Sequence, residues 1–165
     1  MNPTIAQILV PVDFSPHSDF ALTYGAALAA GLRASLHLVH VLEPVPPMAV
    51  GEGLYLVDIE ALEAGMTAEA ERRIGECRGR AAALGVAVTS AVLTGHPATL
   101  IVNAARRWRS DLIVMGTHGR TGLAHMFMGS IAETVTRLAP CPVLTVRETE
   151  WRKETASSGT AVATA

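Results

Sequence analysis

The stretch Asp111-Leu112-Ile113-Val114-Met115-Gly116-Thr117-His118-Gly119-Arg120, with nine residues between Gly119 and the following Gly129-Ser130, decides how this chain is read. The apolar run predicts a buried strand, the glycines predict its abrupt end, and Gly129-Ser130 predicts the restart of the chain as a helix. Such a strand–glycine–helix passage lets main chain lie against an anion. Glycine has no Cβ and admits positive φ, so amides can approach closely. The first turn of the helix then adds unpaired N–H groups and the positive end of its dipole.

Working outward, residues 5–12 form a nearly continuous apolar run rich in β-branched side chains, the pattern of a strand covered on both faces. Ser15 and Pro16 then supply an N-cap and a first helical residue, predicting a helix over Pro16–Leu32 with a glycine stop near Gly31. Further strands are predicted at Ser35–Leu42, 86–93, 111–115 and 143–147, and further helices at 58–84, 97–108 and Ser130–Leu138, with Gly85 closing the long one. The Pro- and Gly-containing stretch 43–57 is a loop of the length used for lids or binding elements. Strict β-α alternation dictates an α/β fold: a single doubly wound five-stranded parallel sheet, order 3-2-1-4-5, Rossmann-like, with helices on both faces. One domain over residues 1–147 is expected, followed by a disordered tail over 148–165 that is rich in Ser, Thr and Ala.

Composition narrows the function classes. Half of the 165 residues are apolar and 17% are charged, with a net charge of −2. A packed core follows, while nothing in the charge favours nucleic acid or an anionic membrane. The basic clusters at Arg72-Arg73, Arg78 and Arg80, and Arg106-Arg107 and Arg109 read as solvated helix faces. Cys77 and Cys141 make neither a disulfide framework nor a metal-ligand spacing, and no signal peptide or membrane span is visible, so a cytoplasmic location is expected. Cys141 reads as a small buried apolar residue.

In open α/β sheets, ligands lie beyond the carboxyl ends of the strands where strand order reverses. Asp13 follows the first strand and Gly116 ends the fourth, so a carboxylate is expected to face the anion cradle across one crevice. There it suits a ribose hydroxyl or a base edge; the competing reading of Asp13 is a turn or helix-capping carboxylate. The backbone at His40-Val41 offers further contacts to a planar base. There is no Gly-x-x-x-x-Gly-Lys-Ser/Thr motif and no lysine in the glycine loop. Arg120 is the one cation there, with Thr117, Ser130 and Thr121 as hydroxyl donors. His118 reads either as a phosphate-contacting imidazole or as an exposed loop residue. Holding an anion suits this set better than fast phosphoryl transfer, which recruits several cations and a fixed Mg²⁺.

At these residues the sequence resembles the universal stress proteins, specifically their ATP-binding branch. The likeness spans residues 5–147 and is carried by Ile8-Leu9-Val10-Pro11-Val12-Asp13-Phe14-Ser15, by Gly116-Thr117-His118-Gly119-Arg120 with Gly129-Ser130, and by Pro140-Cys141-Pro142-Val143-Leu144. The resemblance implies that Asp13 holds the adenosine end and that Pro11, Val12 and Val41 line the adenine pocket. It further implies that Met115, Gly116, Gly119, Gly129, Ser130 and the backbone at Ile131 surround ribose and phosphates, beside His118 and Arg120. ATP is the implied ligand, with Mg²⁺ bridging its phosphates. A homodimer through the last strand, Val143, Leu144, Thr145 and Val146, is implied as well. The expected function is a nucleotide-dependent stress-response module. The alternative is slow ATP hydrolysis or phosphoryl or adenylyl transfer involving Asp13, His118, Arg120 and Ser130.

Overall fold

The computed structural model describes residues 4–45, 58–117 and 129–147. The elements follow in the order β1 (Gln7–Pro11), α1 (Pro16–Leu32), β2 (Ser35–Leu42), α2 (Ile59–Ala82), β3 (Val88–Thr94), α3 (Pro97–Arg107), β4 (Leu112–Gly116), α4 (Ser130–Leu138) and β5 (Val143–Val146). All pairings are parallel, and the sheet order is β3-β2-β1-β4-β5, as expected.

The central strands have no solvent face. Ile8, Leu9 and Val10 of β1 and Ile113 and Val114 of β4 are completely buried. Because side chains alternate across a strand, consecutive residues enter different cores. Ile8, Val10, Leu36, Leu38 and Val114 pack with α1 and α2 through residues such as Ala21, Leu22, Ala26, Ile74 and Cys77. Leu9, Val39, Ile113 and Met115 pack with α3 and α4 through Ala98, Ile101, Val102, Ala132 and Val135. Helix α1 comes close because Gly25 faces the sheet: a Cβ there would stand 2.8 Å from Cγ2 of Val10.

Several predicted ends move, each for a local reason. Strand β1 starts at Gln7 rather than at residue 5, because the N–H groups of Ala6 and Gln7 donate to Asp111 Oδ2 at 2.8 and 2.9 Å. Asp111 accordingly buttresses the amino ends of β1 and β4 and precedes the latter. Gly31 does not stop α1. The stop is Arg33, at φ 56°, with Ala34 N–H donating to the Ala29 carbonyl at 2.9 Å. This is a left-handed C-cap built on arginine instead of glycine. Arg109 (φ 51°) ends α3 in the same way, with Ser110 N–H donating to the Ala105 carbonyl at 2.9 Å. Gly85 does take positive φ, 76°, after α2. The loop expected over 43–57 is described only as far as residue 45, and the tail over 148–165 lies outside the described residues.

Candidate functional site

The chain leaves β1 through a tightly bonded turn. Asp13 Oδ1 accepts from the Ser15 N–H (3.0 Å) and from the Ser15 hydroxyl (2.6 Å). Ser15 Oγ in turn caps α1 by accepting from Ser18 N–H at 3.2 Å. The Ser18 hydroxyl donates to the Ser15 carbonyl (3.0 Å) and accepts from Asp13 N–H (3.3 Å). Asp13 is therefore the turn carboxylate that one reading required. It is also a wall of the crevice that the other reading required.

That crevice is a cavity of ≈ 200 Å³ at the carboxyl ends of the strands, where order reverses between β1 and β4. Pro11, Val12 and Asp13 line it from β1, and Val39, Val41 and Glu43 from the end of β2. Met115, Gly116 and Thr117 line it from β4, and Gly129, Ser130, Ile131 and Ala132 from the start of α4. Every predicted site residue that is described is found here. His118, Gly119 and Arg120 lie outside the described residues.

One hydrogen bond ties the end of β4 to β5, and a second brings the start of α4 onto it. Thr117 N–H donates to the Val146 carbonyl at 3.1 Å, and Gly129 N–H donates to the Thr117 carbonyl at 2.8 Å. The two flanks of the glycine motif consequently meet although eleven residues separate them in sequence. Gly129 is the N-cap of α4 with φ −70° and ψ 150°, and no side chain caps the helix among the described residues. Helices α1 and α2, in contrast, are capped by Ser15 and by Asp58. The leading N–H groups of α4, those of Ser130, Ile131 and Ala132, belong to residues that line the cavity. Neither Gly116 nor Gly129 takes the positive φ that glycine admits. What glycine contributes at these two positions is the missing Cβ on a cavity wall.

The sequence reading passed over Pro97 and Ile101 of α3 and Val39 and Glu43 of β2, all of which line the cavity. Alternation along β2 places Val39 and Val41 on the same face, so this pair was findable. The α3 residues depend on crossover geometry, which has no local signal. His40 was read only for its backbone, yet its buried ring does the work: Nδ1 lies 2.7 Å from the Val12 carbonyl. A carbonyl can only accept, so Nδ1 carries the proton.

The remaining chemistry is structural. Arg72 bridges Glu69 and Glu76 along α2, and Arg80 pairs with Asp19, as solvated basic faces would. Burial, with Asp111 adding to it, pushes the Cys141 thiol above its usual range, which suits a packing residue. Among the described residues no group of three His, Cys, Asp or Glu could hold a metal ion, and no helix is long and apolar enough to cross a membrane.

Fold and cavity together define an open α/β domain whose cavity lies at the switch point of a parallel sheet, lined both by a carboxylate and by a helix start that no described side chain caps. A model of the universal stress protein family matches residues 4–147, and the chain belongs to that family. A universal stress protein of Thermus aquaticus is 39% identical over 142 residues, covering 85% of this chain and 97% of its own. Universal stress protein MJ0531 of Methanocaldococcus jannaschii is 33% identical over 143 residues, covering 86% and 82%. The solved structure of hypothetical protein MJ0577 superposes with a TM-score of 0.77 at 28% identity, covering 88% of this chain and 98% of that one. Two more structures share the fold. One is a universal stress protein in complex with cAMP (TM-score 0.66, 24% identity, coverage 88% and 99%). The other is the Archaeoglobus fulgidus protein in complex with dAMP (TM-score 0.60, 22% identity, coverage 87% and 99%).

Proposed function

We propose that this chain is a universal stress protein that binds ATP and acts as a nucleotide-dependent regulatory module in the cytoplasm. One domain over residues 1–147 would carry the site, and two copies would pair through β5. The observation that carries the reading is the start of α4. A helix whose first N–H groups are capped by no side chain among the described residues, on the wall of a cavity, is suited to an anion. Asp13 lines the same cavity as an acceptor suited to ribose hydroxyls.

In this reading Pro11, Val12, Val39 and Val41 give the base an apolar slot, and Met115 and Gly116 underlie the ribose. The N–H groups of Ile131 and Ala132 and the hydroxyls of Ser130 and Thr117 meet phosphate. His118, Gly119 and Arg120 complete the cradle as the family pattern implies. The residues fit the ligand in chemical type: apolar walls at one end, a carboxylate in the middle and main-chain donors at the other. Mg²⁺ would be held through phosphate oxygens, neutralising charge that one arginine leaves uncompensated. The assignment of these roles supports holding a nucleotide; turnover is not required by it.

The test is equilibrium binding of ATP with Mg²⁺ to the purified chain by calorimetry, with ADP, AMP, cAMP, dAMP and adenosine as the panel. Saturable ATP binding that Gly116→Val and Gly129→Val weaken supports the proposal. Absence of binding at millimolar ATP overturns it. The pairing through β5 is supported by its place at the sheet edge, where a row of main-chain groups has no strand partner on one side among the described residues.

A further inference from the structure

Helix α2 lies outside the nucleotide cavity, yet it is tied both to α1 and to the turn before α1 that builds one wall of that cavity. Arg80 near its end pairs with Asp19 in the first turn of α1. One face of α2 residues above, the Arg73 guanidinium carbon lies 4.2 Å from the centroid of the Phe14 ring. Phe14 is held at φ 63°, a left-handed conformation that bulky side chains adopt only where their surroundings fix it. Its ring packs on that of His40, with centroids 4.3 Å apart and planes at 33°. His40 in turn donates to the Val12 carbonyl at 2.7 Å, while Val12 N–H donates to the Val39 carbonyl at 2.8 Å. Both main-chain groups of Val12 are thereby fixed from β2.

Val12 has a second connection to α2. A separate cavity of ≈ 590 Å³ opens between α1 and α2, lined by Phe14, Asp19, Leu22, Arg73, Cys77 and Arg80. Val12 and Ser18 line this cavity and the nucleotide cavity alike. The wall that separates the two spaces is the Val12–Ser18 turn, and α2 bears on its far side.

We infer that Arg73, Phe14 and His40 form a relay of positioning residues that makes nucleotide affinity depend on how α2 is held. The inference rests on the nucleotide reading above and adds its regulation. Its logic is linkage: a contact that sets the Val12 wall from α2 raises affinity, and nucleotide that holds the wall must steady α2 by the same factor. The input is local to the adenosine end, because Val12 lies among the residues at the end of β1 and not at the start of α4. A partner or modification that draws α2 away would release nucleotide without touching the cavity.

The experiment uses the full chain and the exposed Arg73→Met, which removes the cation and keeps the aliphatic stem. Calorimetry measures ATP and adenosine. The expected result is a loss of about two- to five-fold for both ligands, the worth of one exposed cation–π contact. The ratio of ATP to adenosine affinity stays constant, since the phosphate end is untouched. His40→Phe, which keeps a ring but removes the donor, weakens both ligands further in the same proportion. Hydrogen exchange over Ile59–Ala82 adds a readout that simple destabilisation would not produce. Saturating adenosine slows exchange in the wild type and loses that effect in Arg73→Met. If Arg73→Met binds both ligands as the wild type does, or if adenosine leaves exchange in α2 unchanged, the relay is refuted. If the wild type binds neither ligand, the nucleotide reading falls, and the relay falls with it.

Discussion

Replacing Gly129 by aspartate separates stability from binding, because the same carboxylate should improve one and damage the other. Gly129 already has the extended backbone of an N-cap, φ −70° and ψ 150°, so aspartate enters without strain. As a cap it exceeds glycine by a few tenths of a kcal/mol, and its charge at the positive end of α4 adds about 0.3–1 kcal/mol. The sum is about 0.5–1 kcal/mol, or about 1–4 °C in Tm for a chain of this size. For a bound nucleotide the sign reverses. Two unit negative charges at ~4 Å repel by about 1 kcal/mol in water and about 4 kcal/mol near a protein surface. ATP affinity should therefore fall by at least about fivefold and by up to about a thousandfold, whereas adenosine affinity should hold. Gly129→Asn is the control, capping the helix without adding charge. Thermal denaturation and calorimetry on the same preparations give both quantities. A Gly129→Asp protein that binds ATP like the wild type would show that phosphates do not reach α4. The site as assigned here would then be wrong.

Three further outcomes follow from other parts of the molecule. Gly25→Ala gains about 1 kcal/mol of helix propensity, but its Cβ would meet the fully buried Val10 at 2.8 Å. Overpacking at about 1–3 kcal/mol should outweigh the gain, while Gly79→Ala, which meets nothing within 4 Å, should simply stabilise; equal gains in urea denaturation would contradict the close helix–sheet approach. Burial holds the His37 imidazole below its ordinary pKa of 6.5, so the unfolded chain binds the proton more readily. The stability this contributes is complete above that ordinary value and is lost as pH falls through the lowered one; His37→Asn should flatten the stability–pH curve there, and an unchanged curve would assign the loss to other groups. Thr145→Lys in β5 places like charges opposite each other if the edges of two copies pair, so sedimentation should show monomers; a dimer that persists would put the contact on another surface.

The fold was largely legible because each element carried its own signal. Ser15-Pro16 marks the start of α1, and apolar β-branched runs mark strands that have no solvent face. The misplaced ends arise from contacts distant in sequence or from unusual residues in familiar conformations. Asp111 reaches across to Ala6 and Gln7, and a left-handed arginine at 33 leaves no mark that composition can show. The cavity lining from the ends of β1, β2 and β4 followed from strand order. Its α3 wall and the His40 ring required the packing of one layer on another, which no local pattern encodes. Of the two properties that glycine offers, positive φ is not used at Gly116 or Gly129, which leaves the absence of a Cβ.

The bonds from Ala6 and Gln7 to Asp111 span 105 and 104 residues. They show that the middle strand of the sheet is completed by a segment made much later. On the ribosome, β1 emerges with Ile8, Leu9 and Val10 and waits for β4, about 100 residues behind it. Synthesis at about 5–20 residues per second makes that delay roughly 5–20 s. During this interval β2 can cover one edge of β1, but the other stays open. The nascent chain therefore carries a sticky central strand throughout that interval. Its yield in a cell should depend on translation speed and on chaperones that shield an early strand, more than on the stability of the finished domain.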